Sequence, residues 1–250
     1  MPPHDALEGV MVRIMNHFAD VFGSQAILKG GMVLRLLDCP RFTNDLDYVF
    51  VPHSSKREIV LQVIKALQAL KGMSVTHSLN SKCLRCQLTC EEVRLQVEVQ
   101  VAETCATTEL STVALAHAHG QQGHIIRVMS FASALAHKLA AWNERRLMRD
   151  LYDAYFLFTV MAVQPDFEVL VRRLESVERR ASGGSRKRHM SLSELVSELE
   201  HEVADLTQDK VEIELRDILT PEELVGLAMK LRISMHRLCD KLLHENRGEF

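Results

Sequence analysis

The sequence lacks the features of several large protein classes. Its 250 residues contain no apolar run long enough to span a bilayer, and no basic segment followed by an apolar one at the N-terminus. Six cysteines are too few for a disulfide framework, which favours a reducing cytoplasm. Aromatic residues, at 5%, are too sparse for a base-stacking platform. A net charge of −3 argues against coating nucleic acid by bulk charge, but allows a local basic groove.

Hydrophobic periodicity divides the chain near Met129. The strands predicted before it are residues 26–28, 45–51, 74–79, 84–89 and 93–101. The helices predicted with them are residues 6–21, the stretch after Gly30-Gly31, and 54–70. We expect an α/β domain over residues 1–129.

Only helical patterns follow Met129. Three helices are predicted at 131–145, 149–163 and 166–180. A basic loop at about 181–190 comes next, and two or three further helices follow, the last from about Pro221 to His244. We therefore expect an α+β fold, with a helical domain over 130–250.

Asp45 and Asp47 flank Leu46 at the start of a predicted strand. Residues two apart on a strand point to the same face, so both carboxylates meet on one patch while Leu46 turns to the core. Adjacent carboxylates repel each other unless a cation supplies a counter-charge. Magnesium prefers oxygen ligands and is commonly held by one or two carboxylates and substrate phosphates. Alone, such a pair is more often an ordinary strand feature than a metal site.

A third carboxylate is available on the strand at 93–101. One face of this strand is apolar, and the other carries Gln96 and Glu98. Glu98 could complete a two-metal site with the two aspartates. A register shift of two residues would instead place Gln96 at that position and leave a weaker site.

The pair Gly30-Gly31 lies between a predicted strand and a predicted helix. Glycines at such a turn let backbone N–H groups approach a phosphate, and a helix N-terminus favours an anion. Phosphoryl-type transfer depends mostly on positioning and electrostatic stabilisation. The turn therefore indicates nucleotide chemistry when it is combined with the two aspartates, although a lone Gly-Gly is usually only a turn.

Four motifs occur in order along residues 28–158. They are LKGGMVL at 28–34, RFTNDLD at 41–47, LQVEV at 95–99, and a helical motif that contains Lys138, Arg145, Arg149, Asp150 and Asp153. Together they resemble the AbiEii/AbiGii (MenT-like) nucleotidyltransferase toxins of the DNA polymerase β-like nucleotidyltransferase superfamily. The resemblance implies a polymerase β-like mixed sheet with flanking helices, followed by a helical domain.

The resemblance implies a role for each matching residue. Asp45 and Asp47 would bind catalytic Mg²⁺, with Glu98 as a third ligand. The residues implied to bind the nucleoside triphosphate are Lys29, Gly30, Gly31, Arg41, Thr43 and Lys138. Asp150 or Asp153 would orient Lys138 or anchor its helix. Without the upstream motifs, the helical charges would indicate only surface ion pairs.

Met32 departs from the pattern of the superfamily. Ser or Thr usually follows the second glycine and contacts phosphate through its hydroxyl, a hydrogen bond that methionine cannot donate. This departure motivates a second hypothesis, a catalytically degenerate nucleotide-binding or interaction module of the same fold.

The leading hypothesis is a magnesium-dependent nucleotidyltransferase toxin of a toxin–antitoxin or abortive-infection system. The resemblance implies transfer of NMP from an NTP to an acceptor such as tRNA or a protein. It also implies a cognate antitoxin with a DNA-binding domain, and the cytoplasm is the expected location. A weaker third possibility is a small-molecule enzyme, such as an aminoglycoside-type adenylyltransferase.

Other candidate ligands give weaker signals. Cys83, Cys86 and Cys90 suggest zinc, but the second pair of ligands is missing and buried sheet residues are the stronger expectation. The histidines of a polar connector, His117, His119 and His124, are expected on the surface. The basic residues at 186–188 are expected in a solvated loop, which could hold a phosphate backbone if the acceptor is RNA.

Overall fold

The computed structural model describes residues 4–176 and 190–246. Its contacts divide the chain into two compact units, Met1–Ser130 and Phe131–Phe250. A mixed sheet with flanking helices forms the first unit, and helices form the described part of the second. The predicted α+β fold class is therefore confirmed. Within the described ranges, no helix is long and apolar enough to cross a membrane.

Seven strands form one sheet in the first unit. They are β1 (Ala26–Lys29), β2 (Asp45–Phe50), β3 (Met73–Leu79), β4 (Leu84–Cys90), β5 (Val93–Val101), β6 (Thr107–Ser111) and β7 (Ile125–Met129). Their order across the sheet is β3-β4-β5-β2-β1-β7-β6. Strand β2 is parallel to β5 and antiparallel to β1, and β1 is parallel to β7. The two strands that carry the aspartates and Glu98 are therefore direct neighbours.

The helices of the first unit connect these strands. They are α1 (His4–Phe22), α2 (Gly31–Leu36), α3 (Val60–Ala69) and α4 (Val113–Ala118). The predicted helix at 54–70 begins as a short 3-10 turn at Lys56–Glu58, which Ser55 and Glu58 cap reciprocally.

An apolar stripe of α1 fixes the orientation of β2. Phe18 is fully buried, and its ring centroid lies 5.0 Å from that of Tyr48 and 6.0 Å from that of Phe50. Because alternate residues of a strand point to opposite faces, burying Tyr48 and Phe50 turns Asp45 and Asp47 to the other face. Core packing thus orients both carboxylates.

The segment predicted as a polar connector is instead ordered structure. It contains β6, α4 and β7, and β7 pairs in parallel with the central strand β1. The sequence signal was weak because β6 is a mostly polar edge strand and β7 has only five residues. His119 is also not a plain surface histidine, since its Nε2 lies 3.0 Å from Glu8 Oε2.

The second unit is helical throughout its described residues. Its helices are α5 (Phe131–Arg145), α6 (Met148–Tyr155), α7 (Phe167–Glu175), α8 (Leu192–Ala204), α9 (Gln208–Leu215), α10 (Pro221–Leu224) and α11 (Leu227–Asn246). The helix predicted at 149–163 ends earlier, because the chain passes into a π-helix at Phe156–Val160. The helix predicted from Pro221 is interrupted at Gly226, whose φ of +66° is left-handed.

The break at Gly226 changes the predicted count of helices in the last part of the chain. Four helices, rather than two or three, lie between residue 190 and the end of the described chain. The end of the predicted third helix, at 177–180, and residues 181–189 of the predicted basic loop lie outside the described residues.

Candidate active site

Strand β2 places Asp45 and Asp47 on one face of the sheet. Leu46 between them is fully buried on the opposite face, and both aspartates are partly accessible. The Thr43 hydroxyl donates a 2.8 Å hydrogen bond to Asp45 Oδ1. Lys29 pairs with Asp47 in the β1–β2 register, with Nζ 4.0 Å from Oδ1. Each carboxylate thus has a polar neighbour that limits its movement.

Gly30 brings the backbone close to Asp47. Its φ of +79° lies in the left-handed region, which glycine adopts without a steric penalty. A Cβ at this residue would lie 2.5 Å from Asp47 Oδ2, closer than real Cβ atoms approach an oxygen. The position therefore requires glycine for two independent reasons.

Gly31 creates a similar clearance for the loop that precedes β2. A Cβ here would lie 2.6 Å from Arg41 Nη2 and 2.8 Å from Thr43 Oγ1. Arg41 is buried, and its Nη1 donates a 2.9 Å hydrogen bond to the carbonyl of Phe42. Arg41 and Thr43 therefore lie directly against the glycine turn.

The register of β2 and β5 relates both third-ligand candidates to the aspartates. Glu98 pairs with Asp47, and Gln96 pairs with Asp45. Glu98 Oε1 lies 2.7 Å from Arg85 Nη2 and accepts a 2.9 Å hydrogen bond from Gln96 Nε2. Glu98 is therefore the carboxylate beside the pair, but Arg85 already neutralises it.

The chemistry of the donors fits a hard divalent cation at Asp45 and Asp47. Both offer carboxylate oxygens on one accessible face, which suits Mg²⁺ completed by water and substrate phosphates. Among residues 4–176 and 190–246, no group of three or more His, Cys, Asp or Glu side chains is arranged to hold a metal. A site of two aspartates fits this finding, and Glu98 would join only by leaving Arg85.

The cysteines do not form a zinc site within the described chain. All six thiols are free, and Cys86 and Cys90 lie on the buried face of β4. Burial raises the pKa of Cys86 to about 11. Burial and the nearby Glu98 carboxylate also raise the pKa of Cys83. These are core thiols, as the sequence predicted.

Four residues of the charged motif in the second unit form an ion-pair network around two buried aspartates. Lys138 Nζ lies 2.5 Å from Asp153 Oδ2 and 3.9 Å from Asp150 Oδ1. Arg145 binds Asp150 more closely, with Nη2 2.6 Å from Oδ1 and Nε 3.1 Å from Oδ2. Both aspartates are almost fully buried. Asp153 is therefore the residue that orients Lys138, and Asp150 joins α6 to the end of α5 through Arg145.

Met32 is a core residue, whereas the hydroxyl that usually follows the second glycine contacts phosphate. Its side chain is fully buried, together with Val33 and Leu34 of α2. A serine at this position would leave a cavity in the core. The methionine is thus part of the packing beneath the turn.

Sequence reasoning missed two contacts that support the site. Arg85 is the cation of Glu98, and its position follows once the two-residue turn at Glu91-Glu92 fixes the β4–β5 register. Glu8 accepts a 2.6 Å hydrogen bond from Arg35 on α2 and so joins α1 to the helix after the glycine turn. No local sequence signal marks this second contact, because 27 residues separate its partners.

A family model matches most of the chain. It describes the nucleotidyl transferase AbiEii toxin of a type IV toxin–antitoxin system, and it covers residues 13–234. The chain belongs to this family. It is therefore a nucleotidyltransferase of a toxin family, which confirms the resemblance seen in the four motifs.

Two solved structures from Helicobacter pylori share the fold. JHP933 is 16% identical, with a TM-score of 0.54 over 99% of this chain and 97% of that one. A candidate nucleotidyltransferase is 17% identical, with a TM-score of 0.51 over 96% of this chain and 94% of that one. No curated protein matches the sequence. At these identities the two structures support the fold alone.

Proposed function

We propose that this AbiEii-family nucleotidyltransferase transfers NMP from an NTP to an RNA acceptor such as tRNA, with Mg²⁺ held by Asp45 and Asp47. The observation that carries the proposal is the close approach of Gly30 to Asp47. A phosphate chain that contacts the backbone of the turn would lie directly beside the carboxylate pair. This is the arrangement that positioning-based phosphoryl chemistry requires.

The proposed reaction exchanges one phosphorus–oxygen bond for another. An acceptor hydroxyl oxygen forms a bond to the α-phosphorus, and the bond from that phosphorus to the β-bridging oxygen breaks. Pyrophosphate leaves with the bonding electrons, and the hydroxyl proton passes to solvent. A bound Mg²⁺ would neutralise phosphate charge and lower the pKa of the attacking hydroxyl.

The residues of the first unit contribute binding and orientation. Backbone N–H groups of Gly30 and Gly31 would donate to the triphosphate, because their missing side chains leave room for close approach. Lys29 would hold Asp47 and add positive charge near the phosphates. Arg41 and Thr43 would keep Asp45 and the turn in a fixed relation.

Lys138 and Asp150 are proposed site residues from the family motif. Lys138 would pair with the triphosphate, and its link to Asp153 would orient its ammonium group. Asp150 would act indirectly, by holding the α5–α6 junction through Arg145. A Lys138→Gln variant should raise the KM for NTP if this role is correct.

The family also supports a proposal about the partner and location. A toxin of a type IV system would be paired with a cognate antitoxin, for which we propose a protein with a DNA-binding domain. Because NTPs and tRNA are cytoplasmic, we place the reaction there. Co-expression of the neighbouring gene should relieve growth inhibition by the chain.

Differential labelling of the NTP tests the reaction. Total tRNA is incubated with the purified chain and each NTP, labelled at either the α- or the γ-phosphate. NMP transfer puts only the α-label into RNA, and EDTA abolishes it while added Mg²⁺ restores it. Incorporation of the γ-label would instead indicate phosphoryl transfer and would overturn the proposal.

The buried Met32 favours one rival, a nucleotide-binding module without turnover. This position supplies no hydroxyl to the phosphates, so the backbone must bind them alone. Calorimetry with each NTP and Mg²⁺ separates the two functions. Nucleotide binding without transfer to RNA or protein would favour the module.

A further inference from the structure

A polar groove of about 520 Å³ extends across the sheet from Asp45 to the edge strand β3. Seven other polar residues line it: Asn44, Ser74, Thr76, Gln87, Thr89, Arg94 and Gln96. The register explains the arrangement. Asp45 pairs with Gln96, Gln96 with Gln87, and Gln87 with Thr76, so these four side chains form one row across four strands.

The adjacent row on the same face is charged and internally paired. In it, Lys29 pairs with Asp47, Asp47 with Glu98, and Glu98 with Arg85. The two cations compensate the two carboxylates, and Arg85 is committed to Glu98 at 2.7 Å. The row that begins at Asp45 therefore differs in chemistry, with amides and a hydroxyl instead of paired charges.

The groove keeps hydrogen-bonding capacity for a ligand. Neither Arg94 nor Gln87 makes a side-chain hydrogen bond or ion pair with any residue that the structure describes. Gln96 donates to Glu98, which fixes its amide at the floor of the groove. An unpaired guanidinium beside amides suits a ligand with phosphates and with edges that both donate and accept hydrogen bonds.

The position of the groove relative to the glycine turn suits the acceptor. Strand β2 carries the aspartates, β1 and the turn at Gly30 lie on one side of it, and the groove lies on the other. In-line displacement puts the attacking and leaving oxygens on opposite sides of the phosphorus. If pyrophosphate leaves at the turn, the attacking hydroxyl arrives from the groove.

We propose that this groove binds the hydroxyl-bearing, single-stranded end of an RNA acceptor, an assignment that rests on the proposed function. Arg94 contacts a backbone phosphate of the acceptor from the neighbouring strand β5, two residues before Gln96, the partner of Asp45. Gln87 and Gln96 hydrogen-bond base edges or sugar hydroxyls, as side-chain amides do with nucleic acids. The lack of an aromatic residue in the lining means that binding relies on these polar contacts and not on stacking.

Arg94→Gln is the principal test, with Arg57→Gln as the matched control. Arg57 is an exposed arginine of the same unit outside the groove, so both variants lose one charge. Affinity for a fluorescent single-stranded RNA is measured by anisotropy over a range of salt concentrations. Arg94→Gln should weaken binding roughly tenfold and reduce the salt slope by about 0.7, the value for one phosphate contact with a single strand. Arg57→Gln should change neither.

Gln87→Leu supplies a second, uncharged readout. This change removes the amide but keeps similar bulk, so it should weaken RNA binding a few-fold without altering the salt slope. In transfer assays both groove variants should raise the KM for RNA and leave the KM for NTP unchanged.

The other possible outcomes also support or overturn the proposal that the groove binds RNA. Equal RNA affinity for Arg94→Gln and Arg57→Gln would overturn the proposed RNA-binding role of the groove. A rise in the KM for NTP alone would overturn it as well. Transfer to protein without RNA binding overturns the RNA assignment. If RNA binding depends on Arg94 but no NMP is transferred, the groove is supported and the proposed function fails.

Discussion

Gly30 and Asp47 approach each other so closely that a single methyl group cannot be placed between them. The Cβ of an alanine at residue 30 would lie 2.5 Å from Asp47 Oδ2. This relationship links the turn that would bind phosphate to the carboxylate that would bind metal. It also allows the steric role of Gly30 to be tested separately from its positive φ.

Gly30→Ala should lose transfer activity by at least about a hundredfold, because moving the Asp47 carboxylate disturbs groups on which the chemistry depends. Gly120→Ala is the matched control, since Gly120 also has a left-handed φ, +64°, but a Cβ added there would meet nothing within 4 Å. Gly120→Ala should lose about 1–2 kcal/mol of stability from backbone strain. Gly30→Ala should lose about 1–3 kcal/mol, because the ψ of −152° at Gly30 belongs to a region that is almost exclusive to glycine. Comparable activity in the two would show that the close approach has no functional role.

Thr43→Val tests the hydrogen bond from Thr43 to Asp45. Valine keeps the shape but removes the 2.8 Å contact, so Asp45 becomes less well positioned. We expect a several-fold rise in the Mg²⁺ concentration that gives half-maximal activity, whereas Thr43→Ser should stay close to the wild type. Equal Mg²⁺ dependence for valine and serine would contradict a positioning role for this hydroxyl.

Lys138→Met should strongly destabilise the helical unit. Asp153 is fully buried, and this change removes the cation that lies 2.5 Å from its carboxylate. Breaking a buried pair in this way costs about 3–5 kcal/mol, which urea unfolding can measure. The Lys138→Met/Asp153→Leu double variant should recover much of that loss. A loss below about 0.5 kcal/mol for the single variant (a bound taken from ordinary surface substitutions) would place Lys138 outside the network.

Glu8 should make the free energy of unfolding depend on pH in the acid range. Burial raises the pKa of Glu8, but hydrogen bonds from Arg35 and His119 outweigh it, so the net pKa is lowered from 4.5. The stabilisation that Glu8 gives to the folded protein is therefore fully present above about pH 4.5. It is lost as the pH falls through the lowered pKa of Glu8.

Glu8→Gln tests this dependence in urea unfolding at several pH values. The variant should be about 1–2 kcal/mol less stable near pH 7, the range for a hydrogen bond to a charged group at a partly exposed position. The difference from the wild type should shrink steadily below pH 4.5. A difference that is constant down to acid pH would contradict the ionic contact with Arg35.

Local patterns predicted much of the first unit. The alternation in residues 93–101 located β5 to the residue, and the glycine pair located the start of α2. The segment from β6 to β7 could not be predicted in the same way, because its strands are short and gain stability from pairing with distant partners. In the second unit, the break at Gly226 was missed because one glycine can also lie within a helix.

The candidate site shows the same limit. Strand periodicity placed Asp45 and Asp47 on one face, since that follows from spacing alone. The choice between Gln96 and Glu98 needed the parallel register of β2 and β5, which long-range pairing sets. Likewise, Lys138 lies closer to Asp153 than to Asp150 because of how α5 packs against α6. The sequence could not decide between the two acids, since they are three residues apart and lie on the same face of α6.

The aspartate pair is the centre of the proposed site, and one labelling measurement tests its role. Asp45→Asn and Asp47→Asn, singly and together, are compared with Asp217→Asn, an exposed aspartate of the helical unit, for transfer of α-labelled NMP to total tRNA. Each site variant should lose labelling although it still binds RNA and keeps a melting temperature close to that of the wild type, and Asp217→Asn should label normally. Undiminished labelling by the doubly substituted protein would contradict this role.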